Sequence, residues 1–400
     1  MATDEPSAQL HRELRLAVQS TIQSASGSPI LHHLNDDTSW LIQIPRPENA
    51  VKHGARYYYN ILLDPWFRGG QSDVASWFSQ QFHATESAVQ SIAELEELIR
   101  EVEILAASSR PGGGRVSNGV VDATLIDAVT ISHEFTDHCH KETLLELHPD
   151  VPVFAGKEAA NLIESWKHFR SVTTLGHFGT DGDGSTDWRG TSLRGLPEWI
   201  GISRLLSTED VLYYHSAILI TFNNRHGSAN AKFAKENGLL NGTRKRHHSA
   251  FEPDEDEEIA EAIIYTPHGI QSGDLALIPK AQPSISVLAF LHGLHNVRIG
   301  TVNGRTALQL NLGALNGLKA QRILHSKFWI GTHDEVKKGG GLVSWFLQRE
   351  AMSLADALIV EKRARQNGTA NTNKEVAEAL DAFNDTKFCD LRNGESRILV

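Results

Sequence analysis

The chain has 400 residues, 40% of them hydrophobic and 22% charged, an ordinary globular composition with length enough for a sizeable core in one domain or two. A formal net charge of −11 excludes a broad nucleic-acid surface, which needs clustered lysine and arginine. The two cysteines, Cys139 and Cys389, exclude a disulfide framework, and without a C-x-x-C pair a thiolate zinc ribbon is excluded as well.

The opening stretch MATDEPSAQLHRELRLAV has no apolar core behind a basic start, and no apolar run reaches the roughly 18 residues of a membrane helix. The expectation is a soluble, cytoplasmic protein with no membrane partner. Residues 1–27 read as an N-terminal extension, in which Leu10, Leu14 and Val18 share one face of a short helix over 9–20. A strand follows over 29–45, with SWLIQI as its apolar part. Another runs from Arg56 to Asp64, where Pro65 fixes a turn. Residues 71–82 read as a lid-like segment, 89–107 as a helix and PGGGRVSNG (111–119) as a loop. A strand over 122–132 runs into a histidine-rich stretch, followed by a helix at 141–147, a strand at 151–154, a helix at 157–169 and a strand at 172–175. The Gly/Asp/Ser run at 179–192 lacks the ligand pattern and closing glutamate of a calcium loop, so it reads as a surface loop. Strands at 201–206 and 212–222 precede an insertion, about 223–258, that holds basic RKRHH and acidic EPDEDEE; such opposed blocks solvate or pair with each other. The fold resumes with a strand at 262–265, a helix at 310–324 and a strand at 328–331. Helices at 345–361 and 375–383 make 336–400 a C-terminal helical extension. Strands alternating with helices and hairpins define a mixed α/β, layered arrangement.

The chemistry concentrates in V-T-I-S-H-E-F-T-D-H-C-H-K-E, residues 129–142. His133, Asp137, His138 and His140 fall within eight positions directly after an apolar strand. Imidazole nitrogen and carboxylate oxygen suit zinc and similar divalent metals. The plainer alternative is a solvated, histidine-rich turn, but three further strand-adjacent positions also deliver histidine. His215 stands at the mouth of SAILITF, His268 follows AIIYTP and His333 follows FWIGT. Strand ends on a rigid sheet are a sound scaffold for a metal site. Cys139, inside the same stretch, reads as a small buried filler.

Several of these segments, in this order, resemble the metallo-β-lactamase superfamily over residues 28–335. LHHLNDDTSWLIQI is similar to its opening strands, NILLDPWF to its apolar strand ending in aspartate, and ISHEFTDHCHKETL to its H-x-H-x-D-H metal loop. YYHSAILITF and IIYTPHGI resemble the later metal-bearing strand ends, and FWIGTHDE the terminal histidine segment. Within the superfamily the chain is similar to the ascorbate-6-phosphate lactonase-like branch of hydrolases, where a T-H-D-E-like ending recurs. The resemblance implies an αββα four-layer sandwich. It also implies His133 and His215 as ligands of a first metal, Asp137, His138 and His333 as ligands of a second, and Asp64 as a support behind the metal loop.

Two departures matter. Phe135 replaces the second histidine of the motif, and His268 stands where a metal-bridging aspartate is expected. A neutral imidazole offers one lone pair and cannot bridge two ions as a carboxylate does. The expectation is one strongly held ion on Asp137, His138 and His333, with His268 as a further ligand, and a weak or absent first-site metal. Zinc is the expected ion, with Mn²⁺ or Fe²⁺ as alternatives. The implied reaction is metal-assisted hydrolysis, in which a bound ion lowers the pKa of water from about 15.7 toward about 7. Asp137 is the expected catalytic residue, and the substrate class is a small-molecule cyclic ester, amide or related acyl compound. Candidate pocket residues are His33, Trp66, Phe135 and His292, with Phe67, Trp77, Phe78 and Trp188 as aromatic rings in loops that could cover the site or pad the core. The competing class is a degenerate binding protein without catalysis, motivated by the same two departures. No G-x-S-x-G elbow, P-loop or G-x-G-x-x-G after a strand supports another chemistry.

Overall fold

The computed structural model describes residues 28–52, 55–72, 75–108, 123–179, 184–206, 214–224, 259–300, 306–367 and 387–400. The helix expected at 9–20, the 111–119 loop, the charged blocks of the insertion and the helix expected at 375–383 lie outside these residues. In chain order the first half supplies β1 (Ile30–His33), β2 (Trp40–Pro45), β3 (Tyr58–Leu63), β4 (Gln80–Phe82), β5 (Ala128–Ile131), β6 (Val153–Ala155) and β7 (Val172–Thr174). The second half supplies β8 (Ile200–Leu206), β9 (Ser216–Phe222), β10 (Ala260–Thr266), β11 (Ile285–His292), β12 (Asn296–Gly300), β13 (Thr306–Leu312), β14 (Phe328–Ile330), β15 (Lys338–Gly340), β16 (Leu347–Glu350), β17 (Lys387–Cys389) and β18 (Ser396–Ile398). Helices are α1 (Glu48–Lys52), α2 (Ile92–Ser108), α3 (Lys141–Leu144), α4 (Lys157–Ser165), α5 (Gly313–Leu324) and α6 (Leu354–Asn367).

Two sheets carry the fold, ordered β18-β1-β2-β3-β5-β6-β7 and β17-β14-β11-β10-β9-β8. Alternation along their strands decides the layering, because successive side chains point to opposite faces. Trp40, Ile42, Ile61, Leu63 and Phe154 of the first sheet share one core with Ile218, Ile220, Ile263, Tyr265, Leu291 and Ile330 of the second. The intervening residues Leu41, Leu62, Val129, Ile131 and Val153 face the other way and pack on Leu95 and Ile99 of α2 and on Ala160 and Ile163 of α4. On the far side Leu219, Ile264, Phe290 and Trp329 pack on Leu318 of α5 and Ala357 of α6. The result is the four-layer αββα sandwich. Both sheets are covered on both faces, which is why their strands read as nearly continuous apolar runs.

The helices follow from spacing. In α2 the buried positions Ile92, Leu95, Ile99, Val102 and Ala106 recur every three or four residues, one stripe toward the sheet. In α5, Gly317 lets the helix approach β14, since a Cβ there would sit 2.3 Å from Trp329 Cζ2. No described helix is long and apolar enough to cross a membrane.

Four expectations change. The strand expected over 29–45 is two, β1 and β2, paired antiparallel across a turn at 34–39. The helix expected from Leu310 begins at Gly313, and TALQLNL before it is β13, paired with β12; Gly313, at φ +68°, makes the turn between them. The helix expected over 345–361 is divided: Leu347–Glu350 is β16 against β12, and α6 starts at Leu354. The stretch beyond 335, expected to be helical, returns strands to both main sheets, β17 beside β14 and β18 beside β1. Both are three residues long, too short for their alternation to show in sequence.

Candidate metal centre

The parallel strands β3, β5, β10 and β14 end at one edge of the sandwich, and each hands a polar residue to the same place. Asp64 directly follows β3, His133 and His138 follow β5, His268 follows β10 and His333 follows β14. His138, His268 and His333 bring one nitrogen each within 4.8 Å of one another. Their rings contact in pairs at 5.0–5.1 Å between centroids. His133 lies beside them, 4.9 Å from His268 and 5.4 Å from His138.

The hydrogen bonds orient these rings. His138 Nδ1 lies 2.7 Å from Asp64 Oδ2, His268 Nδ1 2.9 Å from Asn311 Oδ1, and His333 Nδ1 2.9 Å from Asp37 Oδ1. A carboxylate only accepts, so Nδ1 of His138 and His333 carries the proton; the amide oxygen does the same for His268. Each Nε2 lone pair is left facing the centre. Nε2 of His138 and of His268, and both ring nitrogens of His133, are buried without a hydrogen-bond partner among the described residues. Orphaned buried nitrogens are costly unless something else satisfies them, and a divalent ion does so. Two ligands about 2.1 Å from a tetrahedral ion stand roughly 3.4 Å apart. Asp137 Oδ1 stands near that spacing, 3.7 Å from His138 Nε2; Oδ2, 4.0 Å from His333 Nε2, is the oxygen that Lys337 holds. The donor set fits a metal.

Electrostatics favour the neutral, ligating form at three of the four rings. Burial lowers the basicity of His133 and His268, and the neighbouring histidines lower it further, which keeps both imidazoles neutral. Burial likewise lowers His333. His138 is the exception: burial lowers it, but the Asp137 and Asp64 carboxylates outweigh burial and raise it. Asp64 is held firmly behind it. Its carboxylate accepts from Ser132 N at 2.7 Å, from the Ser132 hydroxyl and from Tyr265 Oη at 2.9 Å.

The centre also contains two residues that the motif does not reveal. Lys337 Nζ lies 2.7 Å from Asp37 Oδ2 and 2.7 Å from Asp137 Oδ2, with 6% of its side chain exposed. Burial opposes the Asp137 charge, and the Lys337 ammonium, with His138 and His333, overcomes it and holds the carboxyl well below the ordinary range. Asp37 is held down in the same way, by Lys337 and then His333 against burial. Asp37 lies in the turn between β1 and β2, where Asn35 Oδ1 accepts from the backbone of Asp37 and Ser39.

The remaining expected residues are placed as follows. His215 stands partly buried one residue before β9. Phe135 packs edge-on against Tyr214 at 4.9 Å and beside His133 at 6.2 Å, an aromatic wall where the motif expects imidazole. Trp66 is a buried platform, stacked on His83 at 3.7 Å with Lys337 Nζ 5.3 Å above its ring. His33 stacks on Trp40 at 3.9 Å and its Nδ1 meets the Leu391 carbonyl, and His292 is bonded through Nδ1 to Gly293 O and through Nε2 to Asn316. His292 is thereby a hydrogen-bonded core residue. Phe67 and Trp188 are core as well, in the outer helix–sheet layers. His140 caps α3 by accepting from Thr143 N, and Cys139 is buried in the α2-side core. The lid-like segment forms β4, paired with β15. It meets the histidine-rich loop after β5 through Gln71, whose Oε1 accepts from Thr136 Oγ1 at 2.5 Å, and it carries Trp77, 70% exposed.

No family model matches the chain. No curated protein matches it either. Among solved structures it is similar to a possible metal-dependent hydrolase from Veillonella parvula, at 12% identity and TM-score 0.44, covering 93% of this chain and 100% of that one. It is also similar to isothiocyanate hydrolase from Delia radicum gut bacteria, at 12% identity and TM-score 0.43 over 92% and 98% of the two chains. A third likeness is to the metallo-beta-lactamase fold protein YhfI from Bacillus subtilis, at 11% identity and TM-score 0.38 over 92% and 99%. The layer order and the geometry of the centre stand on the contacts above.

Proposed function

We propose that the chain is a metal-dependent hydrolase that holds one divalent ion on His138, His268 and His333, with Asp137 Oδ1 beside them. The observation that carries this reading is the convergence of three buried imidazoles, each with Nδ1 committed to an oxygen and Nε2 left facing the others. Zinc is the ion that best suits an imidazole-rich set with one carboxylate. Such an ion supplies Lewis-acid polarisation of a carbonyl and acidification of a coordinated water. The chain's own groups do the rest. Asp137 is tied at Oδ2 by Lys337, so its role is to orient the attacking water through Oδ1, and an ammonium at 2.7 Å makes it a poor proton acceptor. Phe135 and Tyr214 present an apolar wall to the substrate. That wall supports a compact, uncharged acyl compound such as a lactone or lactam, in keeping with the lactonase-like motif order.

The test is elemental analysis of gently purified protein followed by a screen of lactones, lactams and phosphate esters. One zinc per chain, and ring-opening of a cyclic ester or amide lost in Asp137→Ala, is the expected result. A wild type without zinc, manganese or iron, and an Asp137→Ala variant unchanged in activity, would sink the reading.

A further inference from the structure

The geometry points to Lys337 as a built-in cation that takes the place of a second metal ion between Asp37 and Asp137. The two carboxylates and His333 have donor atoms within 4.8 Å of one another; with the His333 nitrogens committed to Asp37 and to the histidine centre, the carboxylate oxygens are what a second ion would take. The ammonium sits in that set, 2.7 Å from an oxygen of each aspartate. An ammonium and a divalent ion cannot share those contacts, because each wants the same carboxylate lone pairs and they repel each other at short range. The inference rests on the single-ion reading above and adds the reason for its stoichiometry: the histidine cluster is open to a metal and the aspartate pair is closed by lysine.

The lysine is built into this position. Val336 before it is exposed, whereas the Lys337 side chain is turned inward above the Trp66 ring. The segment that carries it is clamped on both sides. His333 N donates to the Asp37 carbonyl at 2.9 Å, and the Glu335 carboxylate accepts from Ala84 N at 2.6 Å and pairs with His83 Nδ1 at 2.8 Å. His83 in turn stacks on Trp66. From the other side Thr38 Oγ1 donates to the Asp137 carbonyl at 2.8 Å, so the turn holding Asp37 is bound to the metal loop. Lys337 therefore acts as a positioning residue. It neutralises one oxygen of each aspartate, fixes the Asp137 rotamer and leaves Oδ1 toward the histidines.

The experiment is metal stoichiometry by elemental analysis after equilibrium dialysis against zinc. Wild type, Lys337→Met, Lys337→Gln, Lys337→Arg, His138→Ala and the double variant Lys337→Met/Asp37→Asn are compared, each checked for a cooperative thermal transition. The expected result is one equivalent in the wild type and in Lys337→Arg, and two in Lys337→Met and Lys337→Gln. The second equivalent is lost again in the double variant. Two equivalents in the wild type, or one in every folded Lys337 variant that lacks the cation, overturns the assignment. The underlying reading fails separately. If wild type and His138→Ala both bind nothing while Lys337→Met gains an equivalent that the double variant loses, the lysine assignment stands and the single-ion centre falls. Zero in every form overturns both.

Discussion

Asp64 is the residue on which the centre's rigidity depends. It follows β3 at φ +38°, a left-handed conformation that a non-glycine residue holds only under tight constraint. Its two oxygens accept from Ser132 N, the Ser132 hydroxyl, Tyr265 Oη and His138 Nδ1. Asparagine offers one oxygen and turns a donor toward donors. Asp64→Asn is therefore expected to lose about 3 kcal/mol of stability, as breaking a buried charged network does, and, on the proposed metal reading, to weaken binding of added zinc by roughly 10–100-fold through the His138 ring. Urea unfolding and a competition titration with a zinc chelator read the two effects, and an unchanged zinc affinity would remove Asp64 from the centre. The sequence makes Asp64 visible because an apolar strand stops at Asp-Pro. Likewise His138 and His333 follow strand ends in a motif that pairs histidine with aspartate. Lys337 is invisible because a lysine three residues after T-H-D reads as solvent-facing, and only the Glu335 clamp turns it inward. Asp37 is hidden in the same way, one of two adjacent aspartates in a turn that reads as polar loop.

The elements most exposed to error in sequence are the short ones that close the sheets. β2, β3, β9 and β10 are six or seven residues of nearly uniform burial, so their apolar runs identify them and the two-sided packing implies helical layers. β17 and β18 are three residues each and carry lysine, arginine and serine, so only tertiary contacts define them. Their contribution is nevertheless inside the sandwich. Leu391 and Leu399 belong to the inter-sheet core, and Leu399 N donates to the Pro29 carbonyl. Leu399→Ala is expected to cost about 3 kcal/mol, the lost transfer energy plus a cavity that the two sheets cannot close. Ile359→Ala, on the exposed face of α6, is expected to change stability by less than about 0.5 kcal/mol. Denaturant midpoints of the two variants against wild type make the comparison. Equal effects would mean that the segment after β17 is not part of the cooperative unit.

At the scale of the whole molecule, the number of histidines kept neutral by burial sets the response to acid. A polar chain runs through the first sheet from Ser396 on β18 to His32 on β1, Gln43 on β2 and Asn60 on β3, with spacings of 2.7, 2.8 and 2.9 Å. Desolvation, only partly offset by Gln43, lowers the His32 pKa from 6.5 to about 4. His33, His133, His268, His292 and His333 are lowered by burial too. For each, the unfolded chain takes up a proton before the folded one does, so between pH 6.5 and the depressed value the unfolded state binds more protons and stability falls as pH falls. Above pH 6.5 both states are neutral and the dependence vanishes. His32 alone carries a shift worth about 3 kcal/mol across that window, at 1.36 kcal/mol per unit. His138, raised by its carboxylates, works in the opposite sense and softens the total. Unfolding free energies measured from pH 7 to pH 4 are expected to decline steeply below 6.5. His32→Gln, which keeps a side-chain amide for Ser396 and Gln43, is expected to have a shallower decline by up to about one proton's slope. Any change at the histidine centre on acidification is common to both proteins, so the difference between the two curves isolates His32. Parallel curves would show that the ring is protonated in the folded protein.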